Sequence, residues 1–234
     1  MNQSDQLSIF QAQIKNVKAL NRARKHTKRS INEALRNKQS DAASIHTNLY
    51  ALLYSAWVEA IFSKMIHTPY GFKLDEIKQI KTTHQTQGLG EAWIKCLELS
   101  LARIASSPKS NYRPNIQQKL RNIIEKFVIN PSQIRNKIAH GQWVVALNRS
   151  NTSVNNEMTA SLSNLNVVTI DIWFGVFEQL ASIIETMIES PNRAFHRDYW
   201  PLISNLESFV NKSSNWTLEK KILQLQTKQQ HHSA

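Results

Sequence analysis

Along most of the chain, apolar residues return at helical rather than strand spacing. Leu7, Phe10, Ile14 and Val17, then Ile31 and Leu35, recur every three or four positions where apolar, which predicts a first helix over residues 6–38. Asp41 is a candidate N-cap for a second helix, whose broad apolar face runs through Ile45, Leu49, Leu52, Ala56 and Ala60 around YSAWVEAIF. TPYGF ends that pattern. KLDEIKQIKT then predicts a short helix and GEAWIKCLELSLARI a longer one, with THQTQGLG as a polar connection between them and SSPKSNYRPN as the next loop. Ile116, Leu120, Ile123 and Phe127 mark another helix to about Val128. NPSQ interrupts it, and Asn130 before Pro131 predicts a fresh start, with asparagine capping the first amides and proline in the first helical position. Beyond Gly141, WVVALN is β-prone, RSNTSVNNE is polar, and MTASLSNLNVV alternates Met158, Ala160 and Leu162 with polar residues, so a small β-hairpin is expected. Over about 169–189, Trp173, Phe177, Leu180, Ile184 and Met187 predict a strong helix with Asp171, Glu178 and Glu185 along another face. That acidic stripe reads as solvated, or as the answer to the basic first helix. DYWPLISNLESFV and NWTLEKKILQLQ predict two terminal helices within 196–228. The expected fold class is all-α with a hairpin insertion, one domain over 1–234 whose body lies at about 41–190.

Composition supports this picture. Five Gly and six Pro in 234 residues are few, which favours long helices over a turn-rich sandwich or barrel. The 29 Lys and Arg against 17 Asp and Glu leave a formal charge of +12, which points to a polyanionic partner, nucleic acid or an anionic membrane surface. A single Cys96 excludes an internal disulfide and a cysteine-rich zinc site. The start MNQSDQLSIF lacks signal-peptide features, and no uninterrupted apolar run approaches the roughly 20 residues that span a bilayer. A cytoplasmic protein without a membrane partner is the expectation. Within the first helix, Arg22, Arg24, Lys25, Lys28 and Arg29 read equally as a solvated face and as a surface that tracks RNA phosphates. There is no glycine-rich phosphate loop, no G-x-S-x-G and no H-E-x-x-H, and His26 and His46 make no metal pair with carboxylates, so neither a cofactor nor a metal is expected.

Candidate chemistry concentrates in IRNKIAHGQW at 134–143. Arginine and histidine at such a spacing arise by chance about once in a chain like this. The setting is more specific: Asn136 follows Arg135, Ile134 and Ile138 lie one turn apart, and Gly141 stands where a left-handed residue would end the helix after His140. RNKIAHG, with its Asn-Pro start, closely resembles the signature of HEPN domains, all-helical proteins with an Arg-polar-x(3–5)-His motif on a late helix. Trp57 and Glu59 in SAWVEA are similar to an aromatic-acidic pair on the second helix of several HEPN branches. The resemblance covers the helical body, and its specific part is the motif. It implies a HEPN-like helical bundle and a metal-independent endoribonuclease. It also implies a homodimer in which two motif helices face each other and form a composite active site. Small standalone members act as toxins or antiviral defence effectors, which the resemblance extends to this chain. Whether a regulatory protein partner controls it stays open.

The residues fit that chemistry. An RNA 2′-OH attacks its neighbouring phosphate when a base takes its proton and an acid protonates the leaving 5′-oxygen. His140 is suited to proton transfer near neutral pH, Arg135 to holding the phosphate and its developing charge, and Asn136 to orienting either. Positions five apart on a helix differ by about 140° in azimuth, so Arg135 and His140 of one copy do not project together and a second subunit is part of the expectation. Glu59 reads as an orienter of Arg135 or as a structural ion-pair partner, and Lys137 as solvated or phosphate-steering. Trp57 and Trp143 read as core rather than as base-stacking platforms. The alternatives are a non-catalytic HEPN-fold RNA- or protein-binding module, and a DNA-binding helical regulator, for which no helix-turn-helix is visible.

Overall fold

The structure, a computed structural model describing residues 2–105 and 111–230, consists of ten α-helices and has no strand among the described residues. The SSPKS part of the expected loop and the terminal HHSA lie outside them. α1 (Gln3–Arg36) and α2 (Ser40–Ile66) run antiparallel: the Gln6 amide donates to the Thr68 carbonyl at 3.2 Å, and the Trp57 indole donates to Asn21 at 2.9 Å. α1 starts earlier than its apolar spacing predicts because Asn2 and Asp5 form a reciprocal capping box. Asp41 lies in the first turn of α2 and does not cap it; Gln39 holds the cap position without a side-chain bond. The remaining helices are α3 (Leu74–Gln87), α4 (Leu89–Ala102), α5 (Tyr112–Ile124), α6 (Asn130–Ala139), α7 (Asn156–Ser163), α8 (Val167–Glu189), α9 (Ala194–Ser213) and α10 (Leu218–Gln230).

α2 and α8 meet in an aromatic cluster. Tyr54 lies 4.9 Å from Phe174 and Trp57 5.0 Å from it between ring centroids, while Phe177 bridges to Trp93 of α4 at 5.4 Å. These large rings, edge-on or tilted, exclude water from the centre and supply much of the apolar burial. The buried cluster runs from Ile31 to Leu206, beyond the expected body at 41–190, because α9 turns Phe195, Tyr199, Ile203 and Leu206 inward. By length and composition, α2 and α8 are each sufficient to cross a membrane, although no run of spanning length was expected from the chain; 61% of each apolar window is buried inside this structure.

Three further expectations are corrected. The polar THQTQ stretch is not a connection: α3 continues through it to Gln87, with the Thr83 and Thr86 hydroxyls bonded back to carbonyls four residues earlier. No hairpin follows Gly141. One isolated antiparallel bridge joins Leu147 and Val154, and MTASLS is helical because the Asn155 side chain caps it, accepting from the Met158 amide at 2.9 Å. Met158 and Leu162, which alternate like a strand, are also one helical turn apart, and the cap decides between the two.

The break at NPSQ is the third. The chain passes from α5 into α6 through a π-helical turn, Glu125–Ile129, and Asn130 is itself helical (φ −59°, ψ −47°), its amide reaching back five residues to Glu125. Its side chain is therefore not an N-cap. Pro131 has no N–H for the Phe127 carbonyl four residues before it, and the Tyr54 hydroxyl donates to that carbonyl instead. Ser132 closes back on Ile129 at 2.7 Å.

Candidate functional site

Pro131 and Ile138 are buried and fix one side of α6 to the core, with Ile134 packed beside them. The opposite side is left to solvent. Asn136 and His140, four residues apart and so on one face, are both exposed. The helix closes as its glycine predicts: at Gly141 φ is +79°, its amide bonds to Ile138 at 3.1 Å, and the Gln142 amide returns to Lys137 at 2.9 Å. This two-bond closure puts His140 at the helix end, where the carbonyl dipoles converge. The Trp143 indole also donates to the Ile138 carbonyl, at 3.0 Å, so it clasps the helix end and is not a free platform.

Arg135 lies at the border between the two sides. Its Nη2 meets Glu59 Oε1 at 2.5 Å, with the side chains 30% and 43% exposed, and its Nε is buried without a partner. At that exposure the pair is screened and contributes under about 1 kcal/mol to stability. Its structural effect is directional: α2 holds the guanidinium beside the exposed face of α6. Glu59 also walls a cavity of about 580 Å³ between α1, α2, α3 and α4, with Gln13, Asn16, Lys81 and His84 among its lining. Lys137 points elsewhere, donating to the Leu147 carbonyl at 2.6 Å and tethering the loop that follows α6. Arg135 and Glu59 are thus brought together, Asn136 and His140 share a face beside them, and Lys137 stands apart.

The basic cluster divides. Arg24 and Lys28 turn inward and pair with Glu178 at 2.5 Å and Asp171 at 2.7 Å, while Lys64 pairs with Glu185 at 2.5 Å. The acidic stripe of α8 is therefore engaged by cations of α1 and α2 rather than merely solvated. Arg24 lies 4.0 Å over the Phe174 ring; burial works against its charge, but Glu178 and the Tyr50 hydroxyl outweigh burial and raise its pKa. Arg22, Lys25 and Arg29 are exposed on the outer face together with Lys15 and Lys18. The alternation of three and four between these five positions was available from the sequence, although only three of them belong to the predicted cluster. Trp57 is core. Trp216, half exposed beside a second cavity, carries no local sequence signal at all. Among the described residues, no three His, Cys, Asp or Glu side chains gather as metal ligands. No family model, no curated protein and no solved structure matches the chain.

Proposed function

We propose that the chain is a metal-independent endoribonuclease of HEPN type, with Arg135, Asn136 and His140 as its catalytic residues. The observation that carries this reading is the exposed pair Asn136 and His140 on one face of α6, with Arg135 anchored by Glu59 at its border. The RNA supplies its own nucleophile. As the 2′-oxygen bonds to phosphorus, a neutral imidazole takes its proton; the bond to the 5′-oxygen breaks, and an imidazolium protonates the leaving oxygen. The products are a 2′,3′-cyclic phosphate and a 5′-hydroxyl. Arg135 holds the phosphate oxygens through guanidinium donors that Glu59 does not use. Because Arg135 and His140 point about 140° apart, the complete site joins residues of two subunits of a homodimer. A HEPN-like bundle, a cytoplasmic setting and a toxin or antiviral role, with or without a regulatory protein partner, accompany this reading.

The second reading is a non-catalytic module that binds RNA or protein. The observation favouring it is that Arg135 within one chain is already committed to Glu59. Incubation of the purified protein with RNA in excess EDTA separates the two. Cleavage by the wild type, leaving cyclic phosphate ends, and none by His140→Ala or Arg135→Ala, is the expected result. Equal activity of His140→Ala, or strict Mg²⁺ dependence, would overturn the mechanism, and a monomer at all working concentrations would overturn the composite site.

A further inference from the structure

On the outer side of α1, Lys15, Lys18, Arg22, Lys25 and Arg29 are all exposed, at intervals of three, four, three and four. Helical geometry keeps such positions in one line, here about 21 Å long. Between 15 and 29 no large apolar side chain is exposed, so the line lacks the apolar anchors with which an amphipathic helix enters a lipid surface. Nor is its charge cancelled from below, because Asp171 and Glu178 are already paired with the inward-turned Lys28 and Arg24.

Where α1 meets α8 and α10, Lys28, Asp171, Trp216, Lys220 and Lys221 help line a cavity of about 390 Å³. Trp216 is 48% exposed there, with its ring set edge-on to Phe209 at 5.6 Å. Three cations and one carboxylate thus share this lining, and the carboxylate is held by Lys28 at 2.7 Å and by the Tyr50 hydroxyl at 3.0 Å. Lys220 donates to the Asn215 carbonyl at 3.1 Å and, like Lys28, keeps further N–H donors. An accessible indole that shares a cavity with ammonium groups matches the chemistry of a nucleotide, with a π face for the base and donors for its phosphates. A duplex does not offer its base faces in this way; a single strand does.

We propose that this cavity binds one nucleotide of a single-stranded RNA, its base on Trp216 and its phosphates on Lys220 and Lys221, while the strand's backbone follows the cationic line of α1. The site rests on the reading of RNA as substrate, and it gives that substrate a holding surface separate from the cleaving residues.

The test uses the full chain carrying His140→Ala, so that RNA is bound without being cut, and a fluorescein-labelled single-stranded RNA titrated at several salt concentrations. Trp216→Leu is expected to weaken binding about tenfold, while Trp216→Phe keeps most of it. Should Trp216→Leu unfold, the Lys220→Gln, Lys221→Gln pair probes the same site from the surface and is expected to weaken binding as well. Replacing Lys18, Arg22 and Lys25 by glutamine is expected to reduce the slope of log affinity against log salt by about 2. Parental affinity and slope in all the folded variants would overturn the proposal. So would equal binding of duplex RNA, or capture by phosphatidylserine vesicles without saturable RNA binding. Binding with these sensitivities but no cleavage by the wild type would remove the nuclease reading and leave this site standing; cleavage with unaltered binding in the variants would do the reverse.

Discussion

The hydroxyl of Tyr54 on α2 donates to the carbonyl of Phe127, four residues before Pro131. Burial pushes the ionisation of Tyr54 well above its ordinary range, only partly offset by the charge of Arg24, so the donor keeps its proton across the accessible pH range. Tyr54→Phe should cost about 1–3 kcal/mol in urea unfolding, since it removes a buried hydroxyl that serves a backbone carbonyl. In a Pro131→Ala background the same change should cost less, because the new backbone N–H can serve that carbonyl. Equal costs in both backgrounds would show that the two groups are not coupled.

Glu59→Gln separates orientation from stability. The pair it breaks is partly exposed, so the unfolding free energy should move by less than about 1 kcal/mol. Under the proposed mechanism the guanidinium loses its anchor, and RNA cleavage should fall about ten- to a hundredfold. Unchanged cleavage would mean that Arg135 is positioned without α2.

His67 predicts a stability loss in mild acid. It is buried, 1% exposed, with Nδ1 2.6 Å from the Ser63 carbonyl and Nε2 without a partner. Burial lowers its pKa, opposed by the Ser63 bond and reinforced by nearby Lys81. The unfolded chain takes up this proton near the ordinary value of about 6.5, and the folded chain only at lower pH. The contribution of His67 is therefore full above that value and declines as pH falls through it toward the depressed folded value. Urea midpoints at pH 7.5 and 5.5 should differ, and His67→Gln should reduce the difference. An undiminished difference would assign the effect to other groups.

Gly141→Ala tests the end of the motif helix. A Cβ there would meet nothing within 4 Å, so the cost is that of the left-handed backbone alone, about 1–2 kcal/mol. Gly141→Asn should cost less, since asparagine tolerates that conformation better. A loss of cleavage exceeding the loss of stability in Gly141→Ala would show that the closure places His140.

Local rules made much of this molecule legible. Apolar spacing located the helices, and Gly141 announced its closure. Two kinds of misreading recur: in one the deciding partner lies far along the chain, and in the other a second local pattern is equally valid. Nothing near Pro131 says that a tyrosine 77 positions earlier will replace its missing donor. Arg24 and Arg22 are alike in sequence, and only the position of α8 turns one inward. Met158 and Leu162 fit both periods, and Asn155 selects the helix. At the candidate site, Arg135 could be nominated from the motif and Glu59 from SAWVEA, whereas Trp216 and the cavity beside it exist only where α1, α8 and α10 come together.

The π-turn does more than bridge two helices. Wound from i to i+5, it carries one residue more than α geometry would use, so all that follows is rotated by about 100° relative to a plain continuation of α5. Arg135 meets Glu59 from the helix so rotated. The aim of the motif is thus inherited from a miscount upstream: two chains with identical RNKIAHG would present it to different neighbours if they differed by one residue in the turn before it.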